Sequence, residues 1–387
     1  MRIAVLGGAG LTGQAAVRNL LENKKVSEVL VGDVNEKALE RLSNMYGSGK
    51  LTTAKIDARS IEETAAFLRG CDVVINSVQY YYNLEVMQAA LKAGVHYVDH
   101  GGLYHVTLKQ LELDGLFKSK NLTALVGMGA QPGLTNLVAK HASEQLDEMR
   151  AVYIRDGSVD LTENPPLFTW SPLTLFDEMT LDAVVLRNGQ LVSVPPLSLM
   201  ERVEFPQPVG VLDTYVTIHS ELATFPRSFH DKGLSECDWM EGSPDLLFVK
   251  KLADIGFASS SDIEIGGCRV SPRSFLLKLL ESRGLVGYRG DQTPNDWEIT
   301  RLIIHGKRLG KNVKLVYDIL FPPKPEWRMS CAQTGVGIPS STAAMMIAEG
   351  EIKQRGVIPP ETCINPDEFL KKAETHGIKT TVKEYDA

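Results

Sequence analysis

Three glycines, Gly8, Gly10 and Gly13, stand in G-x-G-x-x-G register within RIAVLGGAGLTG, between an apolar run and a helix-forming one. An acid, Asp33, follows twenty residues after the last. In such a unit the first glycine permits a tight turn, the second lets the backbone approach a pyrophosphate, and the third lets helix and strand pack closely. The free N–H groups and positive dipole end of the helix that follows favour a phosphate there. Asp33 closes the run VLVGD, where a carboxylate accepts from the adenosine ribose hydroxyls and repels a 2′-phosphate, so NAD is expected in preference to NADP. Leu11, Thr12 and Val34 flank these positions and join the expected cofactor contacts.

The elements that must hold this loop follow from the pattern. Short apolar runs, VLVGD, TAKID, DVVIN, VHYVD and LTALVG, alternate with helical periodicity after the first strand. Six strand signals with helical crossovers predict an α/β fold with a doubly wound, Rossmann-type parallel sheet. Ligands gather at the carboxyl ends of such strands, which places Asp57, Ala58, Asn76, Ser77, Val78, Gly127 and Met128 around the cofactor.

Beyond residue 130 the parallel alternation stops and hairpin patterns begin. AVVLRNGQLVSV carries Asn188-Gly189 between two alternating runs, and TRLIIHG with KLVYDIL frames the turn KRLGKN. An inserted α+β domain with a largely antiparallel sheet is expected over residues 131–330. Residues 1–130 and 331–387 are assigned to the dinucleotide-binding domain, the second piece through a helix near Gly337 with Pro339 close to its first turn.

At 387 residues the chain can bury two cores. Its net charge of −7, with no basic stripe, argues against nucleic acid. No apolar run reaches the roughly 18 residues of a membrane span, and the first strand begins right after Met1, so no membrane partner and a cytoplasmic location are expected. Five scattered cysteines without C-x-x-C spacing read as reduced thiols, and no metal site is expected.

GGAGLTG, VINSV, YVDHGG, GMGAQPGLTN, FTWSP, HSELATFPRSF and the ending from AQTGVGIPSS together resemble the saccharopine dehydrogenase (saccharopine reductase-like) family, closest in pattern to its lysine 6-dehydrogenase branch. The resemblance covers nearly the whole chain. It departs from that branch at His100, where an aliphatic residue is usual, and at Glu221 and Leu222, where glycines are. It implies an enzyme that transfers hydride at a C–N bond of an amino-acid substrate, first of all oxidative deamination of lysine or a lysine-like diamino acid. It also implies a homodimer or a tetramer. A reductase joining an amine to a carbonyl is the alternative, and a non-catalytic nucleotide-binding protein the alternative from another class.

For amine-to-imine chemistry a base must take the ammonium proton. His100 is the expected base, with Asp99 to orient it and Tyr104 beside it in DHGGLYH; a histidine that caps a turn is the competing explanation. Arg227 is the expected clamp for a substrate carboxylate, since a guanidinium forks onto a carboxylate without titrating. His219, Glu221, Tyr80 and Gln131 complete the expected substrate contacts, whereas Glu178 and Trp170 read as a helix cap and a core residue.

Overall fold

The computed structural model describes residues 1–47, 49–290 and 292–386. Its first sheet contains β1 (Arg2–Leu6), β2 (Glu28–Asp33), β3 (Leu51–Lys55), β4 (Val73–Asn76), β5 (His96–Asp99) and β6 (Thr123–Leu125). All pair in parallel, in the order β6-β5-β4-β1-β2-β3, and Gly356–Ile358 adds a seventh strand beside β6. The run IAVL of β1 is fully buried, as expected for a strand covered by helices on both faces. The strand order reverses between β1 and β4, so the glycine loop leaving β1 opens into the crevice at that switch point.

The second sheet is mixed. Its path runs through Met200–Glu204, Val211–Val216, Glu236–Gly242, Glu148–Asp160, Asp296–Arg308, Lys311–Phe321 and Lys379–Asp386. Every pair is antiparallel except Glu236–Gly242 with Glu148–Asp160. Both expected hairpins form. Asn188 and Gly189 take φ of 51° and 75°, and Leu309 and Gly310 take 51° and 77°, the left-handed values that two-residue turns of matching twist require.

Two expectations for the C-terminal segment are corrected. The helix runs Cys331–Ala348, starting six residues before Gly337, because Ser330 and Gln333 form a capping box; Pro339 therefore lies inside the helix. It packs on Leu11–Glu22 so closely that a Cβ at Gly337 would sit 2.6 Å from the Ala16 nitrogen, and Asn19 Nδ2 donates to Ser341 Oγ at 2.9 Å. The final strand Lys379–Asp386 leaves the first domain and pairs antiparallel along its whole length with Lys311–Phe321, covering that strand's edge. Ala387, the last residue of the expected segment, lies outside the described residues. Among the described residues no helix is long and apolar enough to cross a membrane.

Candidate active site

The glycine loop shows why these positions tolerate no side chain. The left-handed turn falls on Gly7, at φ +71°, one residue before the expected triplet, and a Cβ there would sit 2.6 Å from the Ser77 carbonyl oxygen. Gly8, expected to make that turn, instead lies against Val31, 2.8 Å from a built Cβ. Gly10 caps helix Leu11–Glu22, and no side chain caps the first-turn N–H groups. A Cβ on Gly13 would meet the Gly7 oxygen at 2.3 Å and the Gly8 Cα at 2.7 Å. This cradle fits a dinucleotide pyrophosphate.

Asp33 sits beside it, half-buried, accepting from Ala9 N at 3.3 Å and Asn35 N at 3.0 Å, with Val34 exposed alongside. At the end of β3 the Asp57 carboxylate is forked by Arg59, Nη2 to Oδ2 at 2.6 Å, which holds its pKa below the usual range; Ala58 is buried. The bound nicotinamide would exchange a hydride with the substrate; Thr12, Ser77 and Val78 line the adjoining cavity where that end of the cofactor would reach. Asn76, Gly127 and Met128 do not reach it. Asn76 is buried against Asn83 Oδ1 and the Tyr97 hydroxyl at 2.9 and 3.1 Å, and the backbone N–H groups of Gly127 and Met128 are taken by Asp99. Substituting Gly13 by alanine is expected to weaken nucleotide binding about 10- to 100-fold in a fluorescence titration, since the loop must shift off a backbone oxygen at a cost of about 1–3 kcal/mol.

Between the two sheets lies a cavity of about 260 Å³. Four carboxyl side chains project into it: Asp156, Glu178, Glu241 and Glu298. Strand register assembles three of them, because Glu241 pairs with Asp156, Asp156 with Thr300, and Ser158 with Glu298 across three neighbouring strands. Gln131 Nε2 reaches Asp156 Oδ1 at 3.0 Å and also donates to Glu298 and Thr300. Thr300 Oγ1 donates to Asp156 Oδ1 at 2.7 Å, and Thr217 Oγ1 to Glu241 Oε1 at 2.7 Å, whereas buried Glu178 Oε2 has no hydrogen-bond partner among the described residues.

Withdrawal from water raises all four carboxyl pKa values, and repulsion from neighbouring carboxylates adds to the rise at Asp156, Glu178 and Glu298. Glu298 is pushed up to about 7. Among the described residues no lysine or arginine lines the cavity, and no cluster is arranged to hold a metal. A wall of this kind is completed by protons or by organic cations.

Of the expected substrate contacts, the cavity wall includes His219, Tyr80 and Gln131. The His219 ring stacks on Trp239, with centroids 3.8 Å apart and planes 12° apart, and its Nδ1 pairs with Glu221, which lies fully buried behind the wall. The Tyr80 hydroxyl donates to Asp177 Oδ2 at 3.0 Å, and Arg273 Nη1 holds the other oxygen at 2.9 Å, tying the loop after β4 to the second domain. Arg227 is corrected: it is exposed in the last turn of helix Glu221–Ser228 and does not line the cavity, because the helix turns Leu222 and Phe225 inward.

His100 lines the cavity, its Nε2 is 2.7 Å from Ser77 Oγ, and burial pushes its pKa down to about 4, so it is neutral at pH 7. Asp99 does not orient it. Its oxygens accept from Gly101 N at 2.9 Å, Gly127 N at 2.7 Å and the Tyr97 hydroxyl at 2.8 Å. Tyr104 packs against the first-domain core, edge-on to His105, outside the cavity.

Glu178 lines it, contrary to the helix-cap assignment, since Ser171 is the cap of that helix; Trp170 packs against a second-domain core cluster, as expected, and lines the cavity as well. Asp156, Glu241, Glu298 and Trp239 were not expected. Each is an acidic or aromatic residue inside an otherwise strand-like run, a pattern visible in the sequence, but only the register brings them together.

Residues 3–125 match the saccharopine dehydrogenase NADP binding domain and residues 129–378 the saccharopine dehydrogenase C-terminal domain. The chain is 24% identical to a carboxyaminopropylagmatine dehydrogenase of Synechocystis, over 98% of this chain and 96% of the relative. It is also 24% identical to a carboxynorspermidine synthase of Vibrio cholerae, over 100% and 98%. Its fold matches the apo saccharopine dehydrogenase (L-Glu forming) of Saccharomyces cerevisiae with a TM-score of 0.73 at 18% identity, covering 99% of both chains.

Proposed function

The chain belongs to the saccharopine dehydrogenase family, an oxidoreductase of C–N bonds with a nicotinamide cofactor, and from that premise we propose that it reduces the adduct of a carbonyl compound and a multiply charged amine. The carrying observation is the cavity wall of Asp156, Glu178, Glu241 and Glu298 with no cation among its described lining residues. Ammonium groups spaced along an alkyl chain offset such a wall, and Trp170, Trp239 and Tyr80 give the methylenes and cationic nitrogens aromatic surface. The two relatives are named for carboxylated derivatives of such amines, agmatine and norspermidine, which supports the same reading. Asp33 beside the glycine loop favours NADH over NADPH by accepting ribose hydroxyls and repelling a 2′-phosphate.

Oxidative deamination of a terminal amine is the second reading, and one feature favours it. The wall has no described arginine or lysine to receive the carboxylate of a carbonyl partner. A panel of diamines, polyamines and lysine, each with and without small aldehydes and semialdehydes, separates the two. NADH oxidation that requires both an amine and a carbonyl is expected, with kcat/KM at least 10-fold higher for NADH than for NADPH. Ammonia released from an amine and NAD alone would shift the assignment to deamination, and no turnover in either direction would overturn both.

A further inference from the structure

Two histidines line the cavity, and their surroundings differ in kind. His100 has Nε2 occupied by Ser77 Oγ at 2.7 Å and a buried Nδ1 with no side-chain partner among the described residues; burial keeps it neutral. His219 has a carboxylate partner at Nδ1, and Glu221 is itself fixed by Thr135 Oγ1 donating to Oε1 at 2.7 Å. Glu221 is fully buried behind the wall, so Nε2 is the ring nitrogen left for the cavity, and among the described residues it has no hydrogen-bond partner. Stacking on Trp239 fixes the ring plane, and Trp239 is held by Nε1 donating to Thr217 Oγ1 at 3.1 Å. Thr217 in turn donates to the wall carboxylate of Glu241.

We propose that His219 is the acid–base catalyst of the C–N chemistry and that Glu221 positions it. This rests on the assignment of the cavity to an amine and a carbonyl. The amine nitrogen attacks the carbonyl carbon, and the proton it sheds reaches the former carbonyl oxygen through Nε2 of His219. The imidazolium, recharged from solvent, then protonates that hydroxyl; the C–O bond breaks, water leaves and an iminium forms. Hydride from the reduced nicotinamide adds to the iminium carbon. The sum is amine, carbonyl, reduced nicotinamide and one proton giving secondary amine, oxidised nicotinamide and water. The buried carboxylate at Nδ1 fixes the tautomer and orientation of the His219 ring and leaves Nε2 to exchange the proton, and among the described residues no carboxylate holds His100 in this way.

The test uses the full-length protein with an amine and carbonyl pair that it turns over. His219→Ala is expected to lower kcat by about 10²- to 10⁴-fold while the amine KM moves less than about fivefold, and added imidazole restores activity saturably by filling the space beside Trp239. His219→Gln, which retains bulk against Trp239, shows the same kcat loss without rescue, and Glu221→Gln lowers kcat about tenfold at unchanged KM. Nucleotide binding by each variant confirms that it is folded. Activity of either His219 variant within threefold of wild type, or a loss confined to KM, overturns the proposal and leaves the reductase assignment standing. No wild-type turnover of any pair overturns that assignment and the proposal with it.

Discussion

Replacing Glu241 and Glu298 together by glutamine raises the KM for the amine about 100-fold and, in the same protein, raises the melting temperature at pH 8. The two effects share a cause. Each carboxylate that pairs with an ammonium group away from bulk water contributes about 1.5–3 kcal/mol, so losing two costs about 3 kcal/mol at the lower bound, or about 100-fold in affinity. Without substrate the same charges oppose folding. The Glu298 pKa rises from the usual 4.5 to about 7, chiefly by withdrawal from water, with repulsion from Asp296 and Glu241 added.

A carboxyl whose folded pKa is raised binds its proton more tightly folded than unfolded. Its contribution to stability is therefore intact below pH 4.5, falls as pH rises through the window from 4.5 to 7, and is a full penalty of about 3 kcal/mol above it. The glutamine carries no such penalty and still offers Gln131 an oxygen. Thermal melts without ligand at pH 4.5 and pH 8 check this. The expected gap between variant and wild type is near zero at the first and several degrees at the second, because Asp156 and Glu178 titrate with the same cluster. An equal gap at both values would mean that the carboxyls are not ionising inside the cavity.

The glycine loop and the hairpins were legible in the sequence because their determinants are local. The Gly13 contact with Gly7 closes within one strand–turn–helix unit, and Asn188-Gly189 fixes its own turn. The acidic wall was not legible, since Asp156, Glu241 and Glu298 lie far apart in the chain and meet only through the register of three strands, one pair of them parallel. Phase errors explain the other misses. Arg227 has suitable chemistry, but it stands two residues after buried Phe225 and so turns outward. Asp99 and His100 are neighbours in sequence, and consecutive residues at a strand end point to opposite sides, which sends Asp99 to the loops of β5 and β6 and His100 to Ser77.

That divergence predicts a large loss of stability when Asp99 is replaced. Gly101 N, Gly127 N, the Tyr97 hydroxyl, Asn83 Nδ2 and Gln110 Nε2 all donate to its carboxylate, and it is 1% exposed. Burial raises its carboxyl pKa above the usual range against the pull of these donors. Only the ionised form accepts from all of them without presenting a proton of its own. Asp99→Ala strands two backbone N–H groups and three side-chain donors at about 1–3 kcal/mol for each that stays unsatisfied, so about 4–6 kcal/mol is expected after partial relaxation. Asp99→Asn fills the same volume but turns an N–H₂ toward part of this donor set, and a cost of about 2–4 kcal/mol follows.

A residue whose task was to orient His100 would behave otherwise, with stability kept and kcat lowered. Denaturant melts at pH 7 decide between them. Asp99→Asn is expected to unfold at markedly lower urea than wild type, and any fraction still folded to bind nucleotide weakly, since the loops after β5 and β6 lose the anchor that holds Gly101 at the cavity rim and Gly127 behind it. An Asp99→Asn protein with the wild-type midpoint and reduced turnover would return Asp99 to the chemistry and put His100 back beside it as the base.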